Sequence, residues 1–120
     1  MRTGVDIVDL SRISLDKKFM EKIACQEEIE YIKGYKTAQK QTESLGGLWA
    51  AKEAVMKMLE LGESSGVSFK NITILHKTNG KPYVELNGVA LDAFKSLKMK
   101  ECDISISHEK CYAIAFAVGI

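Results

Sequence analysis

The segment Trp49–Leu59, WAAKEAVMKML, decides how this chain is read. Ala50, Ala51, Ala54, Val55, Met56, Met58 and Leu59 suit a helix packed in a core. Lys52, Glu53 and Lys57 stand in its middle. Residues four apart share a helix face, so Trp49, Glu53 and Lys57 lie on one line. A surface ion pair between Glu53 and Lys57, worth roughly 0.3–0.5 kcal/mol, is the plainest reading. The other is phosphate chemistry. A carboxylate can hold a divalent cation, and a lysine one turn later can balance phosphoryl charge. The small Ala50, Ala51 and Ala54 leave room for a close approach.

Outward from this segment, the pattern predicts a helix from about Ser44 to Leu61, with Gly62 just past its end. The polar run 35–43 reads as a loop. Residues 11–34 are helical in pattern, with Ile13, Phe19, Met20, Ile23, Ile29 and Ile32 on one face. A break is expected near Cys25 and a stop at Gly34. The β-branched run at about 2–9 predicts a strand. Residues 63–69 read as a loop. Asn79-Gly80 marks a hairpin within 71–86, with Pro82 at a strand start or edge. Residues 87–99 read as a helix. A second hairpin within 102–119 turns at about Glu109-Lys110. The order predicts one α+β domain, 1–120, with a mainly antiparallel sheet and a long helix packed on it.

The hydrophobic fraction of 46% predicts a globular fold, and a net charge of +1 argues against nucleic acid as the partner. Three cysteines without metal-type spacing fit a reduced, cytoplasmic setting. No signal peptide precedes the first strand. The longest apolar run, YAIAFAVGI at 112–120, is far too short to span a membrane and reads as a buried strand.

Asp6 is unfavourable inside a β-branched strand. Alternation puts it on one face with Val8, and Val5, Ile7 and Asp9 on the other. It is either a charge that blocks edge-to-edge pairing or a second metal carboxylate. Two carboxylates about 4 Å apart repel by roughly 4 kcal/mol at an effective dielectric of 20, a penalty that Mg²⁺ removes. In Ser105–His108, SISH, the histidine falls at a strand end beside a turn. An ordinary polar turn residue is the bland alternative there, and it is the reading given to His76.

Together these segments resemble one family, the holo-[acyl-carrier-protein] synthase type of 4′-phosphopantetheinyl transferase. The resemblance rests on Gly4-Val5-Asp6-Ile7, the Trp49–Lys57 helix, SFKNITILHKTNGKPYVEL at 68–86, and Ile104–His108, in that order. It implies transfer of the phosphopantetheine arm of coenzyme A to a serine of an acyl carrier protein, releasing adenosine 3′,5′-bisphosphate. It also implies Mg²⁺ and a homotrimer with sites between subunits. Asp6 and Glu53 would hold the metal. Glu53, directly or through a water, would serve as base, and Lys57 would offset charge on the leaving oxygen. Lys52 and His108 would bind phosphates or orient the nucleotide. Arg12, Lys17, Lys18 and Lys22 would dock the acidic carrier protein.

Three positions depart from the family pattern. Leu48 replaces an arginine usual there, with Lys40 as its substitute for the nucleotide. Cys25 replaces a common threonine cap. Val8 stands where two-half relatives carry a further carboxylate. Two other classes remain open on the residues alone. One is another Mg²⁺-dependent phosphotransferase or nuclease; the other is a non-catalytic oligomeric module.

Overall fold

The computed structural model describes all residues, 1–120. Five strands and four α-helices form, in the order β1 (Arg2–Asp9), α1 (Lys17–Ile23), α2 (Gln26–Lys33), α3 (Ala38–Met58), β2 (Ile72–His76), β3 (Pro82–Leu86), α4 (Gly88–Ser96), β4 (Cys102–His108) and β5 (Tyr112–Gly119). The predicted α+β class, both hairpins and the break at Cys25 are all present. The strands make two antiparallel sheets, β1-β5-β4 and β2-β3. One cluster of buried apolar residues joins α3 to both sheets and to α1 and α2.

α3 is the spine, and it is longer than expected. The polar segment 35–43, expected as a loop, supplies its first turns. Thr37 caps it by accepting from the Lys40 N–H, and Gln39 donates to Glu43 one turn on. The helix also ends earlier than expected, at Met58. Glu60 adopts φ 59°, and its N–H donates to Lys57 O while Leu61 N–H donates to Met56 O. This left-handed turn closes the last carbonyls without using Gly62. Helix α1 starts only at Lys17, where Asp16 caps Phe19. That backbone N–H holds the Asp16 pKa below the usual carboxylate value.

β1 lies against α3 closely enough that only glycine fits at the contact. A Cβ on Gly4 would overlap the Ala54 carbonyl oxygen and come within 2.7 Å of Met58 N. Leu10, at the other end of β1, reaches the helix at Gly46. Strand and helix therefore run antiparallel. Asp6, two residues after Gly4 on the same face, is level with the turn that carries Glu53.

β5, expected as a buried strand, is central in its sheet but buried on one face only. Ala113, Ala115 and Ala117 face α3, while Tyr112, Ile114 and Phe116 point outward. Val5 pairs with Phe116 and Ile7 with Ile114 across the ladder, so four large apolar side chains form one outer patch.

Gly4→Ala should lose at least the ~1–3 kcal/mol of ordinary overpacking, because a backbone oxygen cannot rotate away. A urea melt checks this; a midpoint equal to that of the wild type would show that β1 and α3 can separate at no cost.

Candidate active site

α3 sorts its charges into three places. At its C-terminal half, Lys57 Nζ donates to Asp6 Oδ1 and to the Val5 carbonyl, both at 3.1 Å. Glu53 lies one turn before Lys57 on the same face, partly exposed. Trp49 continues the line, with the Arg12 guanidinium 5.0 Å above its ring centroid and Phe19 packed edge-on at 5.9 Å. Arg12, Trp49, Glu53, Lys57 and Asp6 thus form one surface stripe. Lys17, Lys18 and Lys22 are exposed on α1, whose Phe19 touches this stripe.

The second place is the core. Lys52, expected at a phosphate, is buried and does not reach the stripe. Its Nζ donates to Ile23 O at 2.7 Å, Glu28 Oε1 at 2.8 Å and Phe69 O at 3.0 Å, which uses all three ammonium hydrogens. Glu28 is equally committed, since it also accepts from the Cys25 N–H and the Ile74 N–H. Glu28 thereby reaches back to the start of α2 and closes a capping box with Cys25. Burial pushes the Lys52 pKa down, and the Glu28 carboxylate works against that. Lys52 ties α3 to the end of α1, to α2 and to the segment before β2. Sequence spacing alone could not separate it from Glu53 beside it.

The third place is the N-terminal half of α3, where a cavity of about 310 Å³ opens. Lys40, Glu43 and Leu48 of α3 and His108 of β4 line it, together with Tyr31 of α2 and His76 of β2. His108 Nδ1 lies 3.6 Å from Glu43 Oε1, beyond hydrogen-bond length but within Coulombic reach. Leu48 packs into the core behind the cavity. His76 is not the free turn residue expected: its ring stacks on Tyr31 with centroids 3.9 Å apart and planes 1° apart. No sequence signal linked these two, because they are 45 residues apart (76 − 31) on different elements.

Glu43 and Glu53 are ten residues apart on α3, or roughly 15 Å at 1.5 Å per residue. A single chain therefore brings Asp6, Glu53 and Lys57 together, and Lys40 and His108 together, but not the two groups to each other. No cluster of three or more His, Cys, Asp or Glu side chains is present. The pair Asp6 and Glu53 still fits Mg²⁺, which typically takes one or two protein carboxylates and completes its shell with water and substrate phosphate.

Residues 2–117 match the family model of the 4′-phosphopantetheinyl transferase superfamily. This chain belongs to that superfamily. Among curated superfamily members, the holo-[acyl-carrier-protein] synthase of Clostridium acetobutylicum is 42% identical, covering 96% of this chain and 93% of the relative. That of Ruminiclostridium cellulolyticum is 38% identical, covering 98% and 90%. A Bacillus anthracis holo-(acyl-carrier-protein) synthase solved in complex with CoA (3′,5′-ADP) superposes with TM-score 0.80 at 34% identity, covering 98% of this chain and 94% of that one. The Helicobacter pylori synthase in complex with coenzyme A gives TM-score 0.82 at 28% identity, covering 98% and 99%.

Lys52→Met should cost about 3–5 kcal/mol, because it strands the Glu28 carboxylate in the core. Equilibrium unfolding measures this. Unchanged stability with a raised KM for coenzyme A would return Lys52 to the phosphates.

Proposed function

We propose that this chain is a holo-[acyl-carrier-protein] synthase: it transfers the 4′-phosphopantetheine arm of coenzyme A to a serine of an apo acyl carrier protein. The observation that carries this is the contact between Lys57 and Asp6, with Glu53 one turn before Lys57 on the same helix face, assembled by the Gly4 contact in a chain of this superfamily. The serine hydroxyl oxygen attacks the phosphorus that carries the pantetheine arm. A new O–P bond forms as the pyrophosphate bridge breaks, and adenosine 3′,5′-bisphosphate departs. Glu53, directly or through a water, takes the serine proton. Lys57 offsets the charge that grows on the bridging oxygen. Asp6 and Glu53 would hold Mg²⁺, which would supply charge neutralisation for the pyrophosphate.

The nucleotide occupies the cavity at the other end of α3, where Lys40 offers positive charge and His108 a ring nitrogen to its phosphates. Because Lys40 and the Glu43–His108 contact lie ten or more helix residues before Glu53, a complete site joins two subunits. The outer patch of Val5, Ile7, Ile114 and Phe116 supports this. These side chains are 43–60% exposed in one subunit, and such a patch marks an interface. A closed homotrimer covers it without leaving an open end. The carrier protein docks on Arg12, held over Trp49 beside Glu53, with Lys17, Lys18 and Lys22 as its flank. Three free thiols support a reduced, cytoplasmic setting.

Incubation with coenzyme A, Mg²⁺ and an apo carrier protein should give a phosphopantetheine mass gain and free adenosine 3′,5′-bisphosphate; no gain on any carrier protein tested would overturn the function. Glu53→Gln should abolish transfer, while its melting midpoint in chelator stays level or rises slightly, since one of two neighbouring carboxylates loses its charge. Arg12→Glu should raise KM for the carrier protein far more than KM for coenzyme A. Equal mixing and refolding of Glu53→Gln and His108→Ala subunits should restore about a quarter of wild-type activity, the fraction of interfaces with both partners intact. If both variants are inactive alone, a mixture that stays inactive would place the whole site in one subunit.

A further inference from the structure

The cavity at the N-terminal half of α3 has two unlike walls. Lys40, Glu43 and His108 make one polar, with Glu43 Oε1 3.6 Å from His108 Nδ1. Tyr31 and His76 make the other flat and aromatic, backed by Ile74 from β2.

That aromatic wall is electrically neutral. His76 Nδ1 is enclosed and has no hydrogen-bond partner. A charged imidazole would need to donate from that nitrogen, so the neutral ring with its proton on Nε2 is the form the site accommodates. Burial also pushes the His76 pKa down, against a weaker opposing pull from Glu28. Burial and the neighbouring Tyr35 hydroxyl push the Tyr31 pKa up to about 12, so its phenol stays protonated. The nearest carboxylate, Glu28, is spent on Lys52 and two backbone N–H groups. A phosphate against this wall would lose water and gain no charge partner. A planar heterocycle would extend a stack whose two rings are already parallel, at little cost in ordering.

We infer that the stacked Tyr31–His76 pair recognises the base of the nucleotide, which makes His76 a specificity-determining residue for the adenine of coenzyme A. The inference rests on the proposed placement of the nucleotide in this cavity. It assigns the phosphates to Lys40 and His108 and the base to the aromatic wall. A purely structural His76, packing α2 on β2, would affect stability and leave ligand preference alone.

The test is calorimetric binding of adenosine 3′,5′-bisphosphate and cytidine 3′,5′-bisphosphate to the wild type and to four variants. His76→Leu keeps much of the bulk and loses the stack. It should weaken adenosine bisphosphate by between about fivefold and 150-fold, the range of ~1–3 kcal/mol for one base on one aromatic side chain. It should also narrow the preference for adenosine over cytidine. His76→Phe keeps a stacking ring and should retain most of the affinity. Wild-type affinity and preference in a folded His76→Leu, with binding weakened in Lys40→Ala and His108→Ala, would overturn the role of His76 alone. Wild-type affinity in all four variants would overturn the placement of the nucleotide in this cavity as well.

Discussion

The contact between the backbones of β1 and α3 at Gly4 and Ala54 sets everything else in this molecule. Without a Cβ, β1 meets the helix at a distance no other residue allows. The approach brings a strand aspartate within reach of a helix lysine, 51 residues later in sequence (57 − 6). A wider gap filled by side chains would leave Asp6 facing apolar atoms, where an unpaired carboxylate is strongly disfavoured. The alanines at 50, 51 and 54 serve the same end from the helix side. They are fully buried, and their small size lets the helix rest low on the sheet.

The same helix carries a second constraint in its interior. Lys52 and Glu28 form a closed network in which every ammonium hydrogen and both carboxylate oxygens have partners. Such a pair adds little net stability over apolar packing, but it is demanding about geometry. It fixes how far α3 is rotated relative to α2 and β2. Glu53 is the next residue, so its direction into solvent follows from where Lys52 is anchored. The same network balances the charge of Glu28, which also lines the cavity.

Much of this was legible along the chain, and the reason differs by element. β1, both hairpins and the break at Cys25 follow from short-range signals: β-branched alternation, Asn79-Gly80, and a capping position. The stretch 35–43 misled because its first helical turns are solvent-exposed and polar, stabilised by a Thr37 cap and side-chain pairs rather than by an apolar face. The end of α3 misled because Glu60 accepts a left-handed conformation that glycine usually takes, so Gly62 looked like the stop. β5 looked buried because its outer residues are as apolar as its inner ones; composition does not say whether the cover is this chain or another copy.

Residue type and spacing along the chain were enough for the fold class, for the family resemblance and for naming Asp6, Glu53 and Lys57 as candidates, two of which, Asp6 and Lys57, the fold brings into contact. Those depend on residue type at fixed spacing along single elements, where period 2 and period 3.6 hold locally. Only the tertiary structure separated Lys52 from Glu53, one sent into the core and one to the surface. Only it stacked His76 on Tyr31, and only it set His108 beside Glu43, about three helical turns from Glu53. Each of these turns on the rotation and depth of one element against another. That is set by packing among residues far apart in sequence, and neighbouring residues carry no record of it.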